Sequence, residues 1–428
     1  MNSILELAIS VLIVRALLSN ISVFLILRRF RLSRRESDDT VQLSANRHLM
    51  MLLKVFEEHA LIEETVLSLS NQIAAWPDMS LMVVGTERER NGEGRNPTLD
   101  KARLAAFGRN NVQVIEAPIK ANASHAWQNN YALDFITTEA HHTWIMTLDI
   151  DSRFTKTGLN TIVRHINDDR NVIQESCVFL ANYRRLGLWQ RAHALYQSRW
   201  TISHEIRRIL IHNATHLSVA HVVGHGLCIR LSLIRELRGF PEETPMEDIN
   251  LGFYLVAMGE HIESVKDFEM GDTPETIRDG LRQEYAWSLG ARMYPMYLRH
   301  FAHKFPAEWQ RQKVRLLFLT LQGTISYINW LSSSWIVMIV LVNALLGNVW
   351  ASLFLLIYIG DYFQCAYFFW QQKWISVGDV IVSPALALMA ALRRSLGADA
   401  AFVNGLTGRE IVKHKTPHHG LDTGQLDP

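Results

Sequence analysis

Residues 143–153 have the sequence Thr-Trp-Ile-Met-Thr-Leu-Asp-Ile-Asp-Ser-Arg, in which an apolar run ends in two carboxylates one residue apart. The run 143–148 has the length and composition of a buried strand. Similar runs occur at 48–56, 80–84 and 112–116, and helical patterns fill 60–69 and 126–136. This alternation predicts an α/β fold with an open, mostly parallel sheet. Ligands of such sheets bind beyond the carboxyl ends of the strands, where Asp149 and Asp151 are predicted to lie.

Asp149 and Asp151 are candidate ligands of a divalent cation. Mg²⁺ and Mn²⁺ prefer oxygen ligands and can complete their coordination with diphosphate oxygens. A cation bound in this way would neutralise charge on a departing nucleotide. The alternative is that the two aspartates belong to a solvated surface loop, where such pairs are common.

A second acidic pair, Glu247 and Asp248, precedes an apolar helical stretch that extends to Met258. A carboxylate in this position can act as a general base that removes a proton from an acceptor hydroxyl. The alternative is a purely structural role, because negative charges stabilise the N-terminus of a helix through its dipole.

Gln283 and Trp287 are four residues apart, so they share one face of a predicted helix. An indole ring stacks well on the apolar face of a sugar, and a glutamine amide supplies both a donor and an acceptor. The alternative is an ordinary amphipathic helix. The pair therefore suggests carbohydrate binding only in combination with the acidic motifs.

The segment from residue 316 to 360 contains no Asp, Glu, Lys, Arg or His. Its length of about 45 residues is enough for two membrane crossings at about 1.5 Å per residue, with a turn predicted at 343–348. A soluble hydrophobic hairpin is the alternative. The segment 375–392 is also apolar, but it ends in Arg393 and Arg394. We expect it to lie at the membrane interface or to re-enter, because a full crossing would place these arginines outside.

A further apolar stretch, residues 7–27, is followed by five arginines between positions 28 and 35. Basic residues stay on the cytoplasmic side, so this helix is predicted to run from outside to inside. An amphipathic anchor in the membrane plane is the alternative. The predicted organisation is an anchor at 1–35, a cytoplasmic domain at 36–300, and interfacial helices, a membrane hairpin and a cytoplasmic tail at 301–428. The predicted location is the plasma (inner) membrane, with membrane lipid as a partner.

The overall charge and the cysteines exclude other classes of protein. Formal net charge is +1, from 43 basic and 42 acidic residues, so there is no basic field for nucleic acid to bind. The three cysteines are far apart in the sequence and form no Cys-x-x-Cys pair. An odd, sparse count argues against a disulfide framework and predicts buried thiols in a reducing compartment.

Taken together, these motifs resemble glycosyltransferase family 2, in particular its membrane-bound, cellulose-synthase-like members. The resemblance runs in order from about residue 50 to residue 290. The matching segments are Phe56-Glu57-Glu58-His59, Ser124-His125-Ala126 with Asn130-Tyr131-Ala132-Leu133, Leu148-Asp149-Ile150-Asp151-Ser152, Gly224-His225-Gly226 leading to Gly239-Phe240-Pro241 and Glu247-Asp248, Gln283-x-x-x-Trp287, and the tail Lys415-Thr416-Pro417-His418-His419-Gly420. Each motif alone is weak evidence for the resemblance, whereas the occurrence of all of them in this order is specific.

The resemblance implies a GT-A-like, inverting enzyme that moves a sugar from a nucleotide-diphosphate donor to a glycan or a lipid-linked sugar, in cell-surface polysaccharide biosynthesis. Asp248, with Glu247 beside it, would be the catalytic base, and the metal would sit at Asp149 and Asp151. The donor would contact the side chains Glu58, His125, Asp149, Gln283 and Trp287.

The sequence departs from the family pattern at three positions. Ala286 replaces an arginine, His125 replaces a lysine, and the second strand ends at Gly85-Thr86-Glu87 without the aspartate that meets the nucleotide base. These departures leave the nucleotide and processive synthesis open. Two other functions remain as alternatives: transfer to a polyprenyl phosphate, and a catalytically silent membrane scaffold.

Overall fold

The computed structural model describes residues 2–33, 40–120, 125–244 and 246–407, so the tail motif at 415–420 lies outside the described residues. The strands are β1 (His48–Lys54), β2 (Met79–Thr86), β3 (Val112–Ala117), β4 (Thr143–Leu148), β5 (Val172–Val178), β6 (Leu227–Arg230) and β7 (Ile262–Met270). The helices are α1 (Asn2–Ser33), α2 (Ile62–Ile73), α3 (Pro97–Ala106), α4 (His125–Leu133), α5 (Lys156–Asn167), α6 (Leu188–Trp200), α7 (Arg207–Thr215), α8 (Leu231–Glu236), α9 (Glu247–Met258), α10 (Ile277–Ala291), α11 (Tyr294–Lys304), α12 (Pro306–Leu345), α13 (Val349–Gln371), α14 (Val377–Arg393) and α15 (Leu396–Leu406).

The seven strands form one sheet in the order β3-β2-β1-β4-β6-β5-β7. Strands β1 to β4 pair in parallel, as does β5 with β7, whereas β6 is antiparallel to both of its neighbours. The predicted open, mostly parallel α/β sheet is therefore confirmed. The four predicted strands are all present, and β4 is buried along its whole length.

Helices cover both faces of this sheet because successive strand side chains point to opposite sides. In β1, Leu49, Met51 and Leu53 belong to the core under α2, α3 and α5. Leu52 between them belongs to the opposite core, under α4, α8, α9 and α11. We call residues 40–304 the sheet domain.

A third apolar core joins α1, α13 and α14 to the sheet domain. Within the described residues, four helical stretches are long and apolar enough to cross a membrane: Glu6–Arg31, Pro306–Leu345, Val349–Gln371 and Val377–Leu406. Their outer faces keep large apolar side chains exposed, among them Leu18, Ile328 and Leu356. Extended exposed apolar surface of this kind is typical of lipid contact, which agrees with the predicted membrane protein.

Helices α1 and α13 run in the same direction. The Asn20 side chain donates to the Ile357 carbonyl at 2.8 Å, and eleven positions later Arg31 lies over the Tyr367 ring at 5.7 Å. Near this end, Phe30 stacks on Phe268 of β7 at 4.5 Å. Helix α12 runs oppositely, and the predicted turn is confirmed because α12 ends at Leu345 and α13 begins at Val349.

Helix α14 lies against the sheet domain at both of its ends. Near its start, Asp379 accepts a hydrogen bond from Tyr183 at 3.4 Å and pairs with Arg191 at 3.3 Å. At its end, Arg393 is 5% exposed and lies against α10. Because both ends contact the same domain, this arrangement agrees with a helix at the membrane interface, which stays a prediction.

Candidate active site

A cavity of about 850 Å³ opens at the carboxyl ends of β1 and β4. Its lining includes every site residue that the sequence predicted, namely Glu58, His125, Asp149, Asp151, Glu247, Asp248, Gln283 and Trp287. These side chains come from five separate segments, so the fold brings together what the sequence spreads over about 230 positions. Their proximity is a structural observation, whereas their roles stay predictions.

Asp149 follows β4 directly and faces the ammonium group of Lys54, the last residue of β1. The Lys54 Nζ lies 2.8 Å from Asp149 Oδ1 and donates to the Gly224 carbonyl at 2.7 Å. Burial alone would raise the pKa of Asp149, but Lys54 and His225 hold it well below its usual range. Asp149 is therefore ionised at physiological pH and is available to a cation.

A second charged pair lies beside the aspartates. His225 Nδ1 is 2.8 Å from Glu269 Oε2, and Glu269 is buried. Burial alone would lower the pKa of His225, but Glu269, Asp149 and Asp151 raise it to about 10. An imidazolium is thus fixed next to two carboxylates at the cavity wall.

Glu247 and Asp248 form the first turn of α9, as the sequence indicated. Asp248 Oδ2 accepts from the backbone amide of Gly224 at 3.2 Å, and its Oδ1 accepts from the amide of Ile249 at 2.8 Å. These contacts hold the carboxylate at the cavity wall. The bond from Ile249 also satisfies an amide in the first turn of α9, so the geometry agrees with both the catalytic and the structural interpretation.

Lys54 connects the two acidic motifs. Burial alone would lower its pKa, but Asp149, Glu247 and Asp248 raise it above its ordinary value. A single buried ammonium therefore balances charge from both the strand end and the helix start. Without it, several carboxylates would share one low-dielectric space, which is costly.

Gln283 and Trp287 lie on α10 and face the cavity together. The Gln283 Oε1 accepts a hydrogen bond from Gln197 at 2.6 Å, which fixes the direction of its amide. The Trp287 ring packs against Phe179 at 5.9 Å between centroids. Ala286, which replaces the family arginine, also lines the cavity. The site therefore lacks one cation there while keeping the aromatic surface.

At the end of β2, the residue that lines the cavity is Arg88 and not Glu87. Glu87 pairs with Arg90 at 3.0 Å and accepts from the amide of Ile119. The Arg88 guanidinium lies over the Phe56 ring at 5.5 Å, near Glu58. At the end of β2, a cation stacked on an aromatic ring therefore lines the cavity.

The residues present fit a divalent cation only in part. Asp149 and Asp151 offer hard oxygen ligands, and the low pKa of Asp149 keeps one of them charged. In the described part of the chain, no group of three or more His, Cys, Asp and Glu side chains is arranged to hold an ion. The protein would supply two carboxylates, and the remaining ligands would come from a diphosphate and water, which is usual for Mg²⁺.

The sequence analysis assigned no site role to Lys54, His225 or Glu269, although it quoted His225 within the segment Gly224-His225-Gly226. Lys54 is the one charged residue of an otherwise mainly apolar strand, and His225 lies between two glycines. Gly226 has a φ of +64° and lies directly against the β5 backbone, so only glycine is suited to that turn. The lone charge in β1 and the Gly-His-Gly turn were signals that could have identified Lys54 and His225 as site residues.

The chain is similar to several solved structures. They include a mannosyltransferase, PcManGT from Pyrobaculum calidifontis, in complex with GDP-Man and Mn²⁺ (14% identity over 94% of this chain and 100% of that one, TM-score 0.47). Staphylococcus aureus TarS 1–349 is 13% identical over 84% and 92% (TM-score 0.41). The glucosyl-3-phosphoglycerate synthase from Mycobacterium tuberculosis, with Mn²⁺, UDP and phosphoglyceric acid, is 12% identical over 58% and 77% (TM-score 0.37).

Comparison with curated proteins finds no match to this chain. A family model described as glycosyl transferase family group 2 matches residues 144–371, which is more than half of the 428 residues. The matched region begins at β4 and contains Asp149, Asp151, Glu247, Asp248 and the α10 pair. The cellulose-synthase-like branch stays a prediction, since the match does not separate branches. On this match, the chain belongs to glycosyl transferase family group 2 and is a glycosyltransferase.

Proposed function

We propose that this enzyme transfers a sugar, with inversion, from a nucleotide-diphosphate donor to the hydroxyl of a glycan or lipid-linked acceptor. The observation that carries the proposal is the single cavity in which Asp149 and Asp151, Glu247 and Asp248, and the α10 pair all meet. Inversion by direct displacement requires a base on the side of the sugar opposite to the leaving group. In this proposal, Asp149 and Asp151 serve the leaving group and Asp248 is the base.

The donor diphosphate would lie near the ends of β1 and β4. Asp149 and Asp151 would hold Mg²⁺ or Mn²⁺, which stabilises the charge of the leaving nucleotide when it is bound. His225, positively charged through Glu269, would face the same negative charge. The Arg88 and Phe56 pair, with Glu58 and His125 close by, would contact the rest of the donor.

The acceptor hydroxyl would approach Asp248. Its carboxylate lines the cavity and is oriented by the amides of Gly224 and Ile249. Trp287 would provide the stacking surface for the sugar ring, and Gln283 would hydrogen-bond its hydroxyls. Deprotonation by a positioned base contributes about 10²–10⁴-fold in rate.

We further propose that the sheet domain is cytoplasmic and that the protein resides in the plasma (inner) membrane. The orientation is supported by the arginines at the end of α1 and by the packing of that end against β7. The cytoplasm is also where nucleotide-sugars and a divalent cation would be available to the cavity.

The test is Asp248→Asn, with transfer measured from a panel of radiolabelled nucleotide-sugars in the presence of membrane lipid extract. We expect turnover to fall about 10²–10⁴-fold while nucleotide affinity changes little. Asp149→Asn should show the opposite pattern, with weaker metal-dependent donor binding. The anomeric configuration of the product, read by NMR, tests inversion directly.

A matched control is Asp100→Asn, because Asp100 also lies in the first turn of a helix, α3, but outside the cavity. If Asp248 only stabilises a helix N-terminus, both variants should lose about 0.3–1 kcal/mol of stability with turnover intact. Normal turnover in a folded Asp248→Asn protein would refute the base and favour transfer to a polyprenyl phosphate, which needs no such deprotonation. Absence of donor binding and turnover in the unmodified protein would favour the silent scaffold.

A further inference from the structure

The cavity extends beyond the acidic motifs and continues between the membrane-facing helices, where its lining becomes basic. Four guanidinium groups face this part: Arg15 on α1, Arg199 on α6, Arg207 on α7, and Arg394 after α14. We call these four residues the arginine end of the cavity. None of them is close in sequence to the acidic motifs, so the fold builds two regions of opposite charge in one space.

The carboxyl groups near the arginine end do not balance its charge. Asp361 accepts hydrogen bonds from Arg199 at 2.5 Å and from Ser19 at 3.1 Å, so its negative charge neutralises only Arg199. Glu284 is buried, and burial raises its pKa to about 8 in spite of Arg393, so it is largely uncharged at neutral pH. The four arginines therefore carry an excess of positive charge.

These arginines keep hydrogen-bond donors available. Arg15 and Arg394 donate to neutral groups, the Asn329 side chain and the Tyr358 hydroxyl, both at 3.2 Å. The buried Nε atoms of Arg199, Arg207 and Arg394 have no hydrogen-bond partner among the described residues. Buried polar groups in native proteins normally have partners, so these three atoms are donors that an anionic ligand could accept from.

Mutual repulsion supports the same conclusion. Burial lowers the pKa of Arg207, and Arg15 and Arg199 lower it further, with Asp361 opposing only weakly. Bringing an anion into this space would remove that penalty. Guanidinium groups bind phosphate in a bidentate manner, which makes phosphate the anion best suited to the site.

The surroundings indicate that this anion carries a hydrocarbon chain. Apolar residues from three helices line the arginine end, including Leu12, Ile336 and Phe354. Arg15 lines the cavity and is also exposed on the outer surface of α1, so the cavity reaches the surface beside α12. Both helices are candidate membrane spans. A ligand entering there would contact both apolar side chains and the Arg15 guanidinium.

We propose that the arginine end binds the phosphate or diphosphate of a lipid-linked sugar acceptor. The lipid chain leaves between α1 and α12, and the sugar hydroxyl extends along the cavity to Asp248. This inference rests on the proposed function, because it assigns the class of acceptor to the same site. It also gives the two ends of the cavity separate tasks: the acidic end holds the donor and the basic end holds the acceptor.

The test is equilibrium binding of radiolabelled farnesyl phosphate to the full-length protein in dodecyl maltoside micelles. EDTA is present so that no divalent cation recruits the phosphate to Asp149 and Asp151. Inorganic phosphate and farnesol are the competitors. They show whether the phosphate alone or the lipid chain alone accounts for the binding of farnesyl phosphate. We expect Arg207→Gln and Arg15→Gln each to weaken binding about 10- to 100-fold, as for loss of a charge-assisted hydrogen bond, and Arg207→Lys to recover part of it.

Arg311→Gln is the matched control, since Arg311 lies at the start of α12, pairs with Glu308 and does not line the cavity. It should bind farnesyl phosphate normally. Equal losses in Arg311→Gln and Arg207→Gln would overturn the proposal in favour of non-specific attraction. The proposal would also be overturned if farnesol bound as tightly as farnesyl phosphate. The same holds if inorganic phosphate, or an acidic oligosaccharide such as tetragalacturonate, bound more tightly than farnesyl phosphate.

The two proposals can fail separately. Melting curves identify any variant that does not fold, and Arg15→Gln then carries the test in place of Arg207→Gln. If the protein binds farnesyl phosphate through the arginines but no nucleotide-sugar, the proposed transferase mechanism fails and the lipid phosphate site stands. If donor binding is normal and farnesyl phosphate does not bind, the acceptor assignment fails and the donor site stands.

Discussion

Replacing Lys54 by Met removes the ammonium group between the two acidic motifs and keeps a side chain of similar length. In the unmodified protein the Lys54 Nζ lies 2.8 Å from Asp149 Oδ1, and the Lys54 side chain is 5% exposed. The variant leaves Asp149, Glu247 and Asp248 without their nearest positive charge. We expect it to fold with reduced stability and with a stronger response to divalent cations.

The magnitude can be worked out from the geometry. Two unit charges at this distance attract by about 6 kcal/mol at an effective dielectric constant of about 20, but the buried ammonium loses hydration in forming the pair. Breaking a buried ion pair typically costs about 3–5 kcal/mol. The Asp149 side chain is 41% exposed to the cavity, so water screens the remaining charge. We therefore expect about 1–3 kcal/mol.

The loss should lower the melting temperature by roughly 2–12 °C, at about 2–4 °C per kcal/mol. A thiol-reactive fluorescent dye can follow this at pH 7.5, because Cys177, Cys228 and Cys365 are free and buried until the protein unfolds. Mn²⁺ should raise the melting temperature of the variant more than that of the unmodified protein. Lys101→Met, at an exposed lysine that donates to the His59 carbonyl, is the control.

The dependence on pH gives a second measurement. The pKa of Asp149 is lowered in the folded protein, so the stabilisation is present above about pH 4 and is lost as pH falls further. The difference in melting temperature between the unmodified protein and Lys54→Met, followed by tryptophan fluorescence, should narrow below pH 4. Unchanged melting at pH 7.5, or a loss with equal Mn²⁺ responses, would refute the view that Lys54 balances the charge of the cation site.

Three further outcomes are expected. The folded-state pKa of His225 is raised to about 10, so the stabilisation it provides is present below about pH 6.5 and lost toward pH 10. Glu269→Gln should therefore have a lower melting temperature at pH 7, and its melting temperature should decline less between pH 7 and 10. Parallel pH curves for the two proteins would contradict the ion pair. Trp287→Ala should raise the KM for the acceptor more than for the donor, and equal effects would argue against stacking on the acceptor sugar. In intact cells, a tag at the N-terminus should be accessible to protease and a tag near Asn91 protected, whereas a protected N-terminus would reverse the proposed orientation of α1.

Hydrophobic patterns predicted the elements whose periodicity is simple. Strands β1 to β4 are short apolar runs, and the membrane hairpin follows from an uncharged stretch, so both were visible locally. Strand β5 was not predicted because it carries Gln174, Glu175 and Ser176, all fully buried, in place of an apolar run. Strand β6 has four residues, and its antiparallel position between β4 and β5 is decided by pairing between Met146 and Cys228. Such pairing has no local signal.

The candidate site was predictable where chemistry and position coincide in a short motif. Asp149 and Asp151 follow a recognisable strand, and Glu247 and Asp248 begin a recognisable helix. Lys54 was not predictable in this way, because its partner is 95 positions away and its role exists only in the folded sheet. The arginine end is a stronger example, since its four residues come from three different helices and the turn after a fourth.

The packing of α1 against α13 has a consequence for the order in which the protein is made. The Asn20 side chain contacts the Ile357 carbonyl and the Gln364 side chain, which are 337 and 344 positions later in the chain. At roughly 5–20 residues per second, a ribosome needs about 17–70 s to reach them. If α1 crosses the bilayer as proposed, Arg15 and Asn20 lack these partners during that interval, at a cost that apolar neighbours must outweigh. Helix α1 therefore meets these partners only after more than 330 further residues have been made, and substitutions at Asn20 should reduce the yield of assembled protein more than its activity once assembled.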